Sequence, residues 1–284
     1  LIRQPVSQQS AIWLDGTPTS VLPLPDRGLD YGDGVFETLL VHYGKPLFTE
    51  IHLERMAHGL RALGLPDCLT AARQQLDRAA SFAAQEKWPW AALRLSVIRG
   101  PGPRGYAPLV NSRPRIVIYV SCLDRDCGQM AIAATLCVAT IRLSTQPLLA
   151  HIKHLNRLEQ VLAAAQAQAQ NTDECILLDQ TDHLASVAAG NLFLVRHGEL
   201  LTPELVDCGV LGTRRRLIIE KWAPSIGLKV HEVRLRLSDL QTAEEVFYSN
   251  SLQAVRPVAR LSELCWHNHT VCEALFQRYL EELV

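Results

Sequence analysis

Four stretches of this chain hold residue types that packing alone does not require. Residues 150–160, AHIKHLNRLEQ, set Lys153 among His151, His154 and Arg157. A lysine that is desolvated or crowded by cations loses its proton more readily, and the neutral amine can then form a Schiff base with a carbonyl. Residues 209–217, GVLGTRRRL, read as a glycine-bounded loop opening into a helix. Unbonded N–H groups at such a helix start cradle phosphate, which singles out Gly212, Thr213 and Arg214. Arginines 214–216 oppose the helix dipole there, an oddity that a bound anion removes. Residues 99–106, RGPGPRGY, form a rigid Gly/Pro loop with two guanidinium groups and a phenol. Arginine forks pair with carboxylates, so this loop suits an acidic small-molecule substrate. Residues 26–38, DRGLDYGDGVFET, put Gly28, Gly32 and Gly34 just ahead of Thr38, where a tight turn or close backbone approach is needed. Each stretch also has an ordinary reading: an exposed lysine, a capped helix, a solvated turn, a hairpin connection. Together they suit one cofactor, pyridoxal phosphate.

The rest of the composition narrows the setting. The chain has 284 residues with 28 basic and 29 acidic side chains, a formal charge of −1. That balance excludes a polycation built for nucleic acid. With 48% hydrophobic and 20% charged residues it is globular, and its length suggests two domains that need no disulfides. The longest uncharged run, 127–141, contains Gln129, Thr135 and Thr140 and falls short of the ~20 apolar residues of a membrane span. It reads as a buried strand, with no membrane partner. Leu1–Ile2–Arg3–Gln4–Pro5 lacks a signal-peptide layout and an initiating Met, so trimmed first residues are expected. The 8 cysteines form no CxxC pair and read as buried free thiols in a reducing, cytoplasmic setting. Cys265, His267, His269 and Cys272 lie within eight residues of one another, too close for paired zinc ligands, and are read as a surface turn.

These residues must be positioned by mixed elements. Periodicity predicts strands at 11–14 and 36–42 around a turn-rich stretch 23–34, and a helix over 53–63 stopped by Gly64. A second helix is predicted at 70–85, then strands at 92–98 and 115–122. The second part predicts a strand at 130–140, a helix at 154–170, and strands at 175–178, 191–196 and 199–201. A helix at 213–223, strands at 229–236 and 245–248, and a helix at 271–280 complete it. The expected class is α+β (mixed α/β). A smaller N-terminal domain is placed at 1–122, a polar linker at 123–129 and a larger cofactor-binding domain at 130–284.

In order along the chain, DRGLDYGDGVFET, His52-Leu53-Glu54-Arg55, RGPGPRGY, IKHLNRLEQ, GNLF (190–193), GVLGTRR and YSNSLQAVRPV (248–258) resemble the fold-type IV pyridoxal-phosphate enzymes. These include D-amino-acid and branched-chain aminotransferases and aminodeoxychorismate lyases. IKHLNRLEQV and RGxGxRGY are most similar to the lyases, which release pyruvate from 4-amino-4-deoxychorismate to leave p-aminobenzoate for folate. The resemblance implies a two-domain, D-amino-acid-aminotransferase-like fold and a homodimer with its active site near the subunit interface. It implies that Lys153 holds the cofactor and moves protons, and that Arg55, Gly212, Thr213, Arg214 and Ser251 bind the cofactor phosphate. Arg104 and Tyr106 would face substrate carboxylates, Asn250 would line the same pocket, and Thr38 would help protonate the departing pyruvate.

One position departs from the pattern. Ser186 stands five residues before Asn191, where the family carries a glutamate that pairs with the cofactor's ring nitrogen. A serine only hydrogen-bonds there, so the electron sink is shallower. Transamination depends on that sink more than an elimination driven by aromatisation does, so Ser186 favours the lyase. The alternatives are an aminotransferase of the same fold type and a cofactor-binding protein with little turnover. Asp182 stands too far along a strand to replace the glutamate, some 13 Å away.

Overall fold

The computed structural model describes residues 9–109 and 111–283; Leu1 to Pro5, read above for processing, lie outside them. The chain packs as two compact units. One runs up to Asp126 and adds Ile152–Asn156; the other holds Cys127–His151 and everything from Arg157 onward.

The first unit contains β1 (Ser10–Leu14), β2 (Thr17–Pro18), α1 (Arg27–Tyr31), β3 (Gly34–His42) and β4 (Lys45–Pro46). It continues with α2 (Thr49–Ala62), α3 (Leu69–Gln85), β5 (Trp90–Ile98) and β6 (Arg115–Cys122). Among the described residues its strands form one antiparallel sheet in the order β2-β1-β6-β5-β3-β4. Strand alternation sends Val35, Leu39, Leu93, Leu95, Ile118 and Val120 to one face, against Leu53, Met56 and Leu60 of α2 and Leu76, Ala79 and Ala83 of α3. The α3 alanines let that helix lie close to the sheet. The same alternation commits Phe36 and Thr38 to the opposite face of β3.

The second unit contains β7 (Ala134–Arg142), α4 (Leu158–Ala169), β8 (Glu174–Leu178), β9 (Leu184–Val187), β10 (Asn191–Arg196) and β11 (Glu199–Pro203). Then come α5 (Thr213–Leu217), α6 (Ala223–Ser225), β12 (Val230–Val233), β13 (Glu245–Asn250), β14 (Ala254–Leu261), β15 (Leu264–Cys265) and α7 (Thr270–Glu281). Its mixed sheet runs β12-β11-β10-β13-β14-β7-β8-β9, with β15 on β14. Leu192, Leu194, Val246, Tyr248 and Val258 fill the core on one side, and Cys137, Ala139, Ala163, Ala167 and Cys175 that under α4. No helix of the described residues is long and apolar enough to cross a membrane.

Several expected elements change. The helix expected from residue 154 begins at Leu158, because residues 153–155 are engaged with β3: Phe36 N–H donates to the Lys153 carbonyl at 2.9 Å and Leu155 N–H to that of Gly34 at 3.0 Å. The strand expected at 130–140 begins at Ala134, where its parallel pairing with β14 starts. The helix expected at 213–223 widens into a π turn over Ile218–Trp222. The strand expected at 229–236 stops at Val233, and Arg236 instead caps a 3-10 turn, Leu237–Thr242, through Asp239. The turn-rich stretch 23–34 hides the short helix α1, capped by Asp26. Among the described residues, five strands lie outside those the periodicity predicts: the short β2, β4 and β15, the buried β9, and β14, whose apolar run is interrupted by Arg256 and Pro257.

Candidate functional site

In the first unit the chemistry gathers on β3. The Lys153 Nζ lies 4.4 Å from the centroid of the Phe36 ring. The Arg94 guanidinium carbon lies 3.7 Å from the same centroid, and Arg94 is the register partner of Thr38 across the β3–β5 ladder. Phe36 is buried and Thr38, two residues on, points to the same face. One aromatic ring thus holds two cations, a lysine amine and a guanidinium, beside a hydroxyl. Lys153 is held there by its backbone, since its carbonyl accepts from Phe36 N–H and His154 bridges Val35.

The other face of β3 carries Glu37, 1% exposed. Its carboxylate accepts from Arg55 Nε at 2.8 Å and Nη2 at 2.5 Å, and sits 2.6 Å from His52 Nδ1. Burial alone would raise this carboxyl, but the Arg55 charge and the bonds from Arg55 and His52 more than reverse it, to about 2. A helix position thus delivers Arg55 as a fixed cation, oriented by a permanently ionised partner. Arg104 and Tyr106, on the loop that follows β5, are exposed, and the Tyr106 and Tyr31 rings lie 5.4 Å apart.

In the second unit the glycine loop before α5 has the expected shape. Gly212 is the N-cap of α5, and Thr213 and Arg214 are buried in its first turn. A Cβ on Gly212 would fall 2.1 Å from Asn191 Oδ1, so only glycine fits. Asn191 also donates through Nδ2 to the Val210 carbonyl at 2.9 Å, which fixes the turn. Arg214, 1% exposed, donates to the Ser251 carbonyl at 3.3 Å. Asn250 spends its side-chain oxygen on its own turn, accepting from the N–H groups of Leu252 and Gln253. Ser249, next to it, is buried with an orphaned hydroxyl among the described residues. A glycine-only cradle, a buried arginine and an unspent hydroxyl together fit an anionic group.

Ser186 is buried in β9, opposite Leu177. Asp182 lies on an exposed turn, paired with Arg142 at 2.9 Å. The buried carboxylate nearest in sequence is Glu174, which heads β8 and accepts from Cys175 N–H at 3.1 Å and Ala189 N–H at 3.2 Å. Arg94, Asn191 and Glu174 were not singled out from the sequence. Asn191 had a signal, in the GNLF run; Arg94 and Glu174 look like ordinary strand residues.

The Amino-transferase class IV family profile matches residues 34–261. An aminodeoxychorismate lyase of Vibrio harveyi is 34% identical over 88% of this chain and 91% of its own. Among solved structures, a 4-amino-4-deoxychorismate lyase from Pseudomonas aeruginosa is 37% identical with a TM-score of 0.83, covering 95% of this chain and 98% of its own. A hypothetical aminotransferase from Mycobacterium tuberculosis, in its PLP-bound form, shares the fold at 21% identity and a TM-score of 0.82, over 96% and 99% of the two chains.

Proposed function

The chain belongs to the class IV aminotransferase family, and within it we propose a lyase that converts 4-amino-4-deoxychorismate to p-aminobenzoate and pyruvate with the help of pyridoxal phosphate. The observation that carries this reading is the Lys153 amine on the Phe36 ring, with Thr38 on the same strand face. The bound cofactor supplies an electron sink that acidifies the carbon bearing the substrate's amino group.

The residues divide the remaining work. Lys153 Nζ holds the cofactor and afterwards takes the proton from the ring carbon that bears the amino group. As that proton leaves, the ring carbon–oxygen bond to the enolpyruvyl group breaks, the departing group is protonated by the Thr38 hydroxyl or a water, and the ring becomes aromatic. Arg104 and Tyr106 bind the substrate's carboxylates; Arg104 stays protonated and transfers nothing. Arg55, oriented by Glu37, binds the cofactor phosphate, as do the Gly212, Thr213 and Arg214 turn and Ser251, with Asn250 shaping the turn beside Ser251. Ser186 would hydrogen-bond to the cofactor's ring nitrogen without charging it, which suits an elimination that aromatisation drives.

A homodimer is supported by α4, which turns Leu158, Val161 and Leu162 outward while burying only alanines. Large apolar side chains at helical spacing on an outer face call for a second surface. Eight free cysteines support a cytoplasmic setting.

The test is p-aminobenzoate release from 4-amino-4-deoxychorismate by the purified protein with pyridoxal phosphate. Release is expected, and Lys153→Ala should abolish both release and the visible absorbance of the lysine-bound cofactor. Conversion of the cofactor to its amine form by an amino donor alone, without p-aminobenzoate release, would make the protein an aminotransferase instead.

A further inference from the structure

We propose that Arg27 is a positioning residue that clamps the substrate loop, residues 100–106, in its binding shape; this rests on the reading of Arg104 and Tyr106 as carboxylate binders. Arg27 opens α1 and is 4% exposed, although it belongs to a short surface turn. Its guanidinium grips two consecutive loop carbonyls: Nη1 donates to Gly105 at 2.9 Å and Nη2 to Tyr106 at 2.7 Å. Its backbone N–H donates to the Gly100 carbonyl at 3.0 Å. The loop winds about the arginine stem closely enough that a Cβ on Gly102 would fall 2.6 Å from Arg27 Cδ.

The clamp is itself anchored. Arg27 Nε donates to Asp33 Oδ2 at 2.9 Å, and the same oxygen accepts from Arg99 Nε at 2.7 Å. Arg99 in turn donates to the carbonyls of Leu63 and Gly64 just past α2, at 2.6 and 3.1 Å. One carboxylate therefore ties Arg99, which leads into the loop, and the clamping arginine to the helical layer. The two gripped carbonyls flank Tyr106, and the first of them belongs to the residue that follows Arg104. Their capture fixes the direction in which the exposed Arg104 and Tyr106 side chains leave the loop. A planar fork can read two adjacent carbonyls at once, which a lysine ammonium cannot do with the same geometry. Ordering the loop before substrate arrives removes an entropic cost from binding and leaves the proton-transfer groups untouched. The effect therefore belongs in KM.

The experiment compares Arg27→Ala, Arg27→Lys, Arg104→Ala and the Arg27→Ala/Arg104→Ala double variant in steady-state turnover of 4-amino-4-deoxychorismate. Arg27→Ala should raise KM about 10-fold or more with kcat within about 3-fold, and Arg27→Lys should not restore it. The double variant should be no worse than the poorer single one, because both residues act through one loop. Trypsin cleavage after Arg104 in the cofactor-free protein should accelerate in Arg27→Ala, a readout independent of turnover. Gly102→Ala, which pushes the loop off the arginine stem without removing a charge, should reproduce the KM effect and covers the case in which Arg27→Ala misfolds. Additive losses in the double variant, or an unchanged KM and unchanged cleavage in both Arg27→Ala and Gly102→Ala, would overturn the clamp. A raised KM in Arg104→Ala beside normal Arg27→Ala and Gly102→Ala sinks the clamp alone. An unchanged KM in Arg104→Ala sinks the carboxylate reading of the loop, and faster cleavage would then still report the Arg27 grip.

Discussion

Glu37 in the first unit and Glu174 in the second are both buried carboxylates at or inside a strand, yet they respond to burial in opposite ways. Glu37 is held down to about 2: desolvation pushes it up, but the full charge of Arg55 and the bonds from Arg55 and His52 overcome that push. Glu174 is raised above its ordinary value, because burial meets only backbone N–H donors of Cys175, Ala189 and Ala188 and a weaker influence from Arg256. Formal charge on the partner, more than the count of hydrogen bonds, decides the sign. The first unit thus keeps a permanent anion to orient a cation. The second keeps a carboxylate that burial raises, accepting from Ala189 N–H two residues ahead of Asn191. At Ser186 it keeps no carboxylate at all.

Breaking the first half of this contrast should have the larger effect. Glu37→Gln preserves shape but takes the carboxylate charge away from the half-buried Arg55, and a loss of about 3 kcal/mol is expected in chemical denaturation. The pH dependence sharpens it. Because the folded carboxyl is depressed, its stabilisation is complete above the ordinary value of 4.5 and is lost as pH falls toward about 2. That loss amounts to about 3 kcal/mol. Glu37→Gln should flatten this acid limb, and a wild-type slope in the variant would show that Arg55 and His52 do not hold Glu37 as described.

Next in size is Ser186→Glu, which should speed the half-reaction with amino donors by about 10-fold by deepening the electron sink. Unchanged half-reaction rates would remove the serine from the argument for elimination. The smallest effect is expected for Glu174→Gln, within about 1 kcal/mol at neutral pH, since its partners are neutral amides. Its sign is opposite to that of Glu37. A raised carboxyl contributes stability below 4.5 that fades as pH rises through the folded value. Denaturation of Glu174→Gln at pH 4 and pH 8 should therefore show the variant gaining relative to wild type at the higher pH.

The legible parts of this protein were those in which local spacing carries its own physics. The apolar spacing of Leu53, Met56 and Leu60 marked α2, strand alternation marked β5 and β6, and the glycines around 212 marked a turn that tolerates no side chain. The segment after Lys153 is not legible in the same way, because residues 154–157 continue the helical pattern of α4. The backbone of Lys153 and Leu155 is committed instead to a strand more than a hundred residues earlier, through Phe36 and Gly34. The outward Leu158, Val161 and Leu162 of α4 likewise run against the usual rule that the larger apolar face is the inner one.

The sequence by itself determined the inventory: a lysine among cations, a glycine turn before a basic helix, an arginine loop, and a serine in place of a glutamate. Each of these depends on residue type within a few positions, and short-range sterics and charge suffice to read it. Only the tertiary structure decided that Lys153 shares the Phe36 ring with Arg94, that Glu37 owns Arg55, and that Arg27 holds the carbonyls of Gly105 and Tyr106. Those partners stand about 18 to 117 positions apart. Strand register and the burial of charge bring them together, and both are settled by packing of the whole unit.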